Sequence, residues 1–395
     1  MLKDNSPFAV ELTELHSRFE AMRPEQEITI SDAAMGVEGY IIVWNTGIAK
    51  DGPMPRAAKG GTRIHANLTK DEVAMLAKKM ALKNAAAGLP LGGAKSGLRA
   101  DPSAPDFKDT YQSFCKLSKP YLYEFGGDYG GFGFDIGARP EHALWACEAI
   151  GSTRSFTGKP LEMGGTDYDR EGIAGLGVAV AARTALEETG KSARGANFIV
   201  QGLGAMGAAV VRYFSTYGGI LAGISDPRVG GSWVFEAPPP ESLYEAIRDR
   251  KDAELIAILG HCGRFLSTDN NAVLTLDCDV LFPCAVQDVI TPANAVEINA
   301  KLVCEGANGP VTEESYAILE KRGITVIPDF IANSGGIIAA FVEMTSSSEN
   351  KCLEAKTLTE QKIAENVRLV LACAAKHGVS SRQAALYITY KRIFQ

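Results

Sequence analysis

Histidine is scarce in this chain, five in 395 residues, and the eight cysteines contain no Cys-x-x-Cys pair. Metal centres are built from clustered His, Cys or carboxylate ligands, so these shortages argue against one, and no metal is expected. No apolar run approaches the ~18–20 residues that cross a bilayer. Long runs of one charge are missing too, and the formal net charge is −7, whereas a nucleic-acid binder carries a basic face. The opening MLKDNSPFAVELTELHSRFE has acids where a secretory leader has an apolar core, so no leader is expected. A cytoplasmic protein with no membrane or nucleic-acid partner follows from these absences.

What is present, 46% hydrophobic and 22% charged residues, is the balance of a globular protein. A chain of this length exceeds one ordinary core, so two domains are expected. In the first, VEGYIIVW (37–44) and the residues around Gly61–Ile64 read as strands. TKDEVAMLAKKMALKNAAAG reads as a helix opened by a capping box, Thr69 with Glu72. Taking Leu76 as zero at 100° per residue, Val73, Met80 and Ala87 fall within about 60° of it and define an expected buried stripe. Lys83 falls on the same stripe. Either its charge snorkels to water from the stripe edge, or it meets an anion in a cleft.

The second half alternates between the two periods. ANFIVQ, the loop GLGAMG, the helical AAVVRYFSTYG and the strand GILAGISD make one β-α-β unit, closed by Gly218. CDVLFPCA, AKLVCEGAN and GITVIPD continue as strands, with EESYAILEKRG as a helix. The fold class is therefore α/β, and this domain is a mostly parallel sheet with helices on both faces, a Rossmann dinucleotide-binding domain. EAPPPESL (236–243) reads as a surface loop.

Three glycines in GxGxxG are weak evidence alone, but here they follow a strand and open a helix. Gly202 permits the tight turn, Gly204 lets backbone approach a pyrophosphate, and Gly207 lets helix and strand pack closely. Ala205 and Met206 open the helix whose free amides would face the phosphates. Asp226, at the end of the second strand, suits both adenosine ribose hydroxyls and repels a 2′-phosphate, which favours NAD; the neighbouring Arg228 keeps NADP possible. Asp226 also suits a turn before Pro227.

LPLGGAKSGLRADP sets Lys95 among small residues. Two lysines, Lys83 and Lys95, beside a nicotinamide site can divide the work: one holds a carboxylate, while the other, desolvated and crowded by like charge, becomes a base.

These residues carry a family likeness. Leu89, Gly92, Gly93, Ala94, Lys95, Gly97, Asp101 and Pro102 resemble the active-site signature of the glutamate, leucine, phenylalanine and valine dehydrogenases. KGGTRIH, MALKNAAAGLPLGGAK, FDIGAR, TGKPLEMGG, REGIAG, QGLGAMG, CEGANGP and IPDFIANSGG follow in the family's order. The resemblance implies an N-terminal α/β domain for substrate binding and oligomerisation (1–160), completed by C-terminal helices (346–395), and a Rossmann domain over 161–345. It implies oxidative deamination of an amino acid to a 2-oxo acid and ammonium with NAD or NADP, and a homo-oligomer, specifically a hexamer.

Position by position, the resemblance makes Lys95 the residue that activates water and Asp135 the proton shuttle, although Asp135 also suits the N-cap of the next helix. It makes Lys83 the partner of the α-carboxylate and puts Lys59, with Gly60 and Gly61, at the substrate side chain. Asn308 and Asn333 line the nicotinamide and substrate, or else serve as turn formers. Arg170 matches a cofactor-site arginine, and Ala174 stands where the family usually has threonine. Ala340 stands where glutamate enzymes carry a serine near the side-chain carboxylate. Losing one hydrogen bond to a charge costs ~1.5–3 kcal/mol, whereas an unpaired buried lysine costs ~3–5 kcal/mol. Retained Lys59 therefore favours glutamate, with a branched-chain, aromatic or other amino acid as the alternative, and an inactive dinucleotide-binding regulator as the alternative of another class.

Overall fold

Val37–Trp44 carries large apolar residues at both parities, as a strand covered on both faces must. The computed structural model describes residues 6–135 and 137–395; Ile136 of FDIGAR and residues 1–5 lie outside the described residues. In it the chain divides into two compact units.

The first unit holds a five-stranded sheet of β1 (Gln26–Asp32), β2 (Val37–Trp44), β3 (Ala58–Lys59), β4 (Thr62–Ile64) and β5 (Gly92–Leu98). The order is β1-β2-β5-β3, with β4 also on β5; β2 runs antiparallel to β5, and β3 and β4 run parallel to it. α1 (Pro7–Ala21) precedes the sheet and α2 (Lys70–Ala86) leads into β5. Ile42 and Trp44 pack with Val73, Ala77 and Ala81 of α2. Ile41 and Val43 pack on the other side with Phe107, Tyr111 and Phe114 of α3 (Phe107–Ser118) and Ala143 and Ala146 of α4 (Pro140–Ile150). A short parallel pair, β6 (Phe132–Gly133) and β7 (Phe156–Thr157), lies apart from this sheet.

The glycines of β5 set the fit of α2. A Cβ on Gly93 would lie 2.2 Å from the Ala81 nitrogen and 2.4 Å from the Ala77 oxygen, so strand and helix meet backbone to backbone. The buried stripe of α2 accordingly runs through Val73, Ala77, Ala81 and Ala85. This corrects the expected stripe: Leu76, Met80 and Lys83 are only half-buried, because the smallest residues, not the largest, face a glycine strand. The expected capping box forms by half. Thr69 Oγ1 accepts from the Glu72 amide, but the Glu72 carboxylate turns to Arg63 and His65.

The second unit is a seven-stranded sheet of β8 (Asn197–Gln201), β9 (Ile220–Asp226), β10 (Gly231–Val234), β11 (Arg264–Ser267), β12 (Cys278–Pro283), β13 (Ala300–Cys304) and β14 (Thr325–Ile327). Its order is β11-β10-β9-β8-β12-β13-β14. The five strands from β9 to β14 in that order are parallel, and β10 and β11 form an antiparallel edge. The flanking helices are α5 (Ile173–Glu188), α6 (Ala205–Thr216), α7 (Glu241–Arg248), α8 (Asp252–Cys262), α9 (Pro292–Ala295), α10 (Glu313–Lys321) and α11 (Asp329–Ala332). Phe198, Phe214 and Phe282 stack edge to face in its core. The loop expected over 236–243 stops at Pro240, which begins α7 as its N-cap.

The observed units differ from the expected boundaries. Residues up to Tyr168, Ile337–Ala355 and Leu386–Gln395 belong to the first; Asp169–Gly336 and Lys356–Ala385 to the second. α12 (Gly335–Thr345) joins the first unit through Glu343, which bonds Lys159 and Thr166. Most of α13 (Lys351–His377) instead joins the second, where Lys356 pairs with Glu171 and Arg368 with Glu188. α14 (Ser381–Phe394) starts in the second unit and ends in the first, where Tyr390 and Ile393 pack on Leu15 and Phe19.

Gly93→Ala should lower stability by at least ~2 kcal/mol, the ordinary cost of overpacking a tight core, read as a fall in thermal midpoint. Gly47→Ala, where an added Cβ meets nothing within 4 Å, serves as the control. Equal midpoints for both variants would contradict the backbone contact.

Candidate active site

Each unit carries part of the chemistry. In the first, β5 is buried along its whole length and presents Lys95 only 6% exposed. Its Nζ lies 2.7 Å from Asp135 Oδ2. Burial drives the Lys95 pKa below the ordinary lysine value, against the pull of Asp135. Burial also opposes ionisation of Asp135, but Lys95 and Arg63 outweigh it and hold that carboxyl below its usual range. Arg63, on β4, donates from Nε to Asp135 at 2.9 Å and from Nη1 to Glu72 at 3.1 Å. The cap of α4 is Arg139, so Asp135 is a charge partner of lysine and not an N-cap.

Lys59 is 1% exposed, and its Nζ donates to the Gly131 and Phe132 carbonyls at 2.5 and 2.6 Å. Burial brings its pKa down to about 7, with Glu343 opposing and Lys159 and Lys95 adding to the fall. Gly60 is required by packing: a Cβ there would fall 1.7 Å from the Ala94 oxygen. Gly61 likewise lies against the Phe134 carbonyl. Lys83 projects from the half-buried flank of α2. Ala340 is buried on α12, three residues before Glu343.

The second unit carries the glycine loop. Gly202 has φ +90°, and a Cβ on Gly207 would strike the Gly202 oxygen at 1.8 Å. Beside Gly204 a Cβ meets nothing within 4 Å. Two glycines are thus consumed by packing and the third leaves room at the N-terminus of α6, where a pyrophosphate fits. Ala205 and Met206 form the first turn of α6. Arg170 and Ala205 border one concavity of about 550 Å³ together with Arg212, Arg248 and Arg250. Ala174, in the first turn of α5, is half-exposed.

Asp226 sits at the end of β9. Its Oδ2 accepts from the Leu203 amide at 2.7 Å, and its Oδ1 from the amide and Nε of Arg228 at 2.9 and 3.0 Å. Burial opposes its ionisation, yet these donors hold the carboxyl below its usual range. Asp226 is therefore also the turn residue that Pro227 suggested. The Arg228 guanidinium is committed to Asp226, Asp252 and the Leu203 carbonyl, which leaves it poorly placed to take a phosphate.

Asn333 donates from Nδ2 to Gly306 O at 3.1 Å and to Asn308 Oδ1 at 3.0 Å, which joins the two expected asparagines. Asn333 is buried and its Oδ1 has no protein partner; Asn308 is exposed.

Sequence reasoning missed three groups. Arg63 stands in the KGGTRIH motif, yet nothing in its spacing marks it as the clamp on Asp135. Glu343 accepts from the Gly158 amide, the Thr166 amide and hydroxyl, and Lys159; a lone acid in the apolar helix GGIIAAFVEMT was its signal. Glu305, below the Asn308 loop, accepts from the Tyr316 hydroxyl and the Asp329 amide. Burial pushes its pKa up to about 8.

Two family models match the chain: "Glu/Leu/Phe/Val dehydrogenase, dimerisation domain" over residues 24–141 and "Glutamate/Leucine/Phenylalanine/Valine dehydrogenase" over 164–395. The chain is 33% identical to the NADP-specific glutamate dehydrogenase of Saccharolobus shibatae, over 85% of this chain and 80% of that one. It is 29% identical to the NAD-specific glutamate dehydrogenase of Peptoniphilus asaccharolyticus, over 94% and 90%. Among solved structures, the leucine-bound hetero-hexameric glutamate dehydrogenase of Thermus thermophilus superposes with a TM-score of 0.73 at 26% identity, over 99% of this chain and 96% of that one.

Asp226→Ala removes the carboxylate and releases Arg228 together, so the ratio of NADP to NAD efficiency should rise tenfold or more, about 1.4 kcal/mol. Steady-state kinetics with both cofactors measure it; an unchanged ratio would mean that Asp226 serves the turn alone.

Proposed function

The chain belongs to the Glu/Leu/Phe/Val dehydrogenase family and is an amino acid dehydrogenase, and from that premise we propose that its substrate is L-glutamate, oxidised to 2-oxoglutarate and ammonium. The observation that supports this reading most is the buried Lys59 ammonium, for which Ala340 offers no hydroxyl and backbone carbonyls offer no charge. With two carbonyl partners Lys59 is not unpaired, so it favours an acidic side chain by charge and not by hydrogen bonding alone.

The cofactor is a nicotinamide dinucleotide, with NAD preferred because Asp226 opposes a 2′-phosphate and Arg228 is otherwise engaged. When bound, it supplies the hydride acceptor. Gly204 and the first amides of α6 would hold the pyrophosphate, and Asn308 and Asn333 the nicotinamide end.

This chain's residues handle carboxylates, water and protons. Lys83 holds the α-carboxylate. Asp135 takes a proton from the substrate amino group as the Cα–H bond breaks and an imine forms. Lys95, lowered by burial, takes a proton from water as the oxygen attacks the imine carbon. Asp135 then returns a proton to nitrogen, and as the C–N bond breaks the hydroxyl proton passes back to Asp135, the carbonyl forms and ammonia leaves, to be protonated to ammonium in solution. The 2.7 Å contact between Lys95 and Asp135 lets one proton pass between them. Arg63 keeps Asp135 in that position and ionised until it is needed.

We further read the protein as a cytoplasmic hexamer. All eight cysteines are free thiols, as in a reducing compartment, and the Thermus thermophilus relative is a hexamer.

Lys59→Leu should lose glutamate efficiency by at least ~10²-fold, as for loss of a charge-assisted contact of about 3 kcal/mol, while a straight-chain apolar amino acid gains. NADH formation with both substrates measures this. Unaltered glutamate kinetics would remove Lys59 from the side-chain site.

A further inference from the structure

Lys59 does not stand alone. The Gly131–Phe132 carbonyls that hold it belong to the segment containing β6, and β6 pairs with β7. The neighbouring Phe156 carbonyl on β7 accepts from Lys159 at 2.5 Å. Lys159 in turn lies 2.7 Å from Glu343, whose side chain is 0% exposed. Two ammonium groups and one carboxylate are therefore buried in one neighbourhood, and the carboxylate already accepts three hydrogen bonds at Oε1 and that of Lys159 at Oε2. Lys95, whose charge also lowers the Lys59 pKa, is paired with Asp135. The Lys59 set is left with one positive charge in excess.

A buried excess charge has two remedies: an incoming anion, or loss of a proton. We propose that side-chain selection in this enzyme is proton-linked: protonated Lys59, balanced within the Glu343–Lys159 cluster, selects an acidic side chain, and deprotonated Lys59 makes the same pocket accept an uncharged one. This rests on Lys59 facing the substrate side chain as read above. Ala340 fits both states, since a methyl group neither requires nor refuses a charged neighbour. Glu343 acts as a positioning residue: it touches no substrate and acts through Lys59.

The sign follows from burial. The Lys59 pKa is brought down to about 7, so the ammonium form dominates below that pH and falls tenfold per unit above it. The efficiency kcat/KM reports groups of the free enzyme. Protonations common to both substrates, including those of Lys95 and Asp135, cancel when two efficiencies are divided.

The experiment measures kcat/KM for glutamate and for norvaline, its apolar analogue of equal chain length, from pH 6 to 8.5, in the full-length wild type, Lys59→Leu and Glu343→Gln. In wild type the glutamate-to-norvaline ratio should fall about 300-fold across that range, tenfold per pH unit, because loss of one proton from Lys59 lowers one efficiency as it raises the other. In Lys59→Leu the ratio should be flat. In Glu343→Gln the ratio should be lower than wild type at every pH, because a carboxylate that favours the ammonium form is gone; a merely structural role for Glu343 would lower both efficiencies and leave the ratio in place. A pH-independent ratio in a wild type that uses both substrates overturns the proposal. Oxidation of norvaline with none of glutamate at any pH overturns it too, leaving the amino acid dehydrogenase reading intact. Failure to reduce NAD or NADP with any amino acid overturns that reading itself. If Glu343→Gln does not fold, the wild-type and Lys59→Leu ratios decide.

Discussion

A buried ammonium group must be matched by a carboxylate or release its proton, and the part of the first unit that holds Lys95 and Lys59 is arranged around that constraint. Lys95 is brought into the interior by a strand whose glycines admit α2 at backbone distance. Once there, it has Asp135 at 2.7 Å, and Asp135 is fixed in turn by Arg63. Desolvation and the carboxylate act in opposite directions on the lysine, and desolvation prevails. That is the condition for an amine to serve as a base near neutral pH. Packing and reactivity are therefore one property here: opening the strand–helix contact would rehydrate the lysine and restore its ordinary pKa.

The same logic runs through Lys59, with a different outcome. Backbone carbonyls accept two of its three N–H donors but do not match its charge, and the nearby carboxylate, Glu343, is paired with Lys159. Where Lys95 has a counter-ion in direct contact at 2.7 Å, Lys59 has carbonyls and a carboxylate already paired with Lys159. In the proposed reading a side-chain carboxylate on the substrate would supply the remainder, which would tie recognition to electrostatics and make the missing hydroxyl at Ala340 a smaller matter.

Much of this was legible in the sequence wherever a local pattern has one physical meaning. Strand β2, the β-α-β unit and the glycine loop follow from period and punctuation, and the roles of Gly202 and Gly207 appear as two contacts that no side chain could enter. The phase of α2 is not legible from its large apolar residues, because the glycine strand it meets demands alanines. Residues 346–355 and 386–395 return to the first unit as expected, whereas residues 337–345 and 356–385 differ, because ion pairs such as Lys159–Glu343 and Lys356–Glu171 join residues far apart in sequence. Arg63 escaped for a similar reason: its partner is 72 residues away.

The central claim is that Lys95 is a base made by burial. The most direct test is Lys95→Ala, with turnover and NAD affinity measured on the same preparation. A fall in kcat of at least ~10²-fold, the lower range for losing a general base, with NAD binding unchanged is the predicted result. Turnover within a few-fold of wild type would contradict it and leave Lys95 as a buried counter-ion of Asp135.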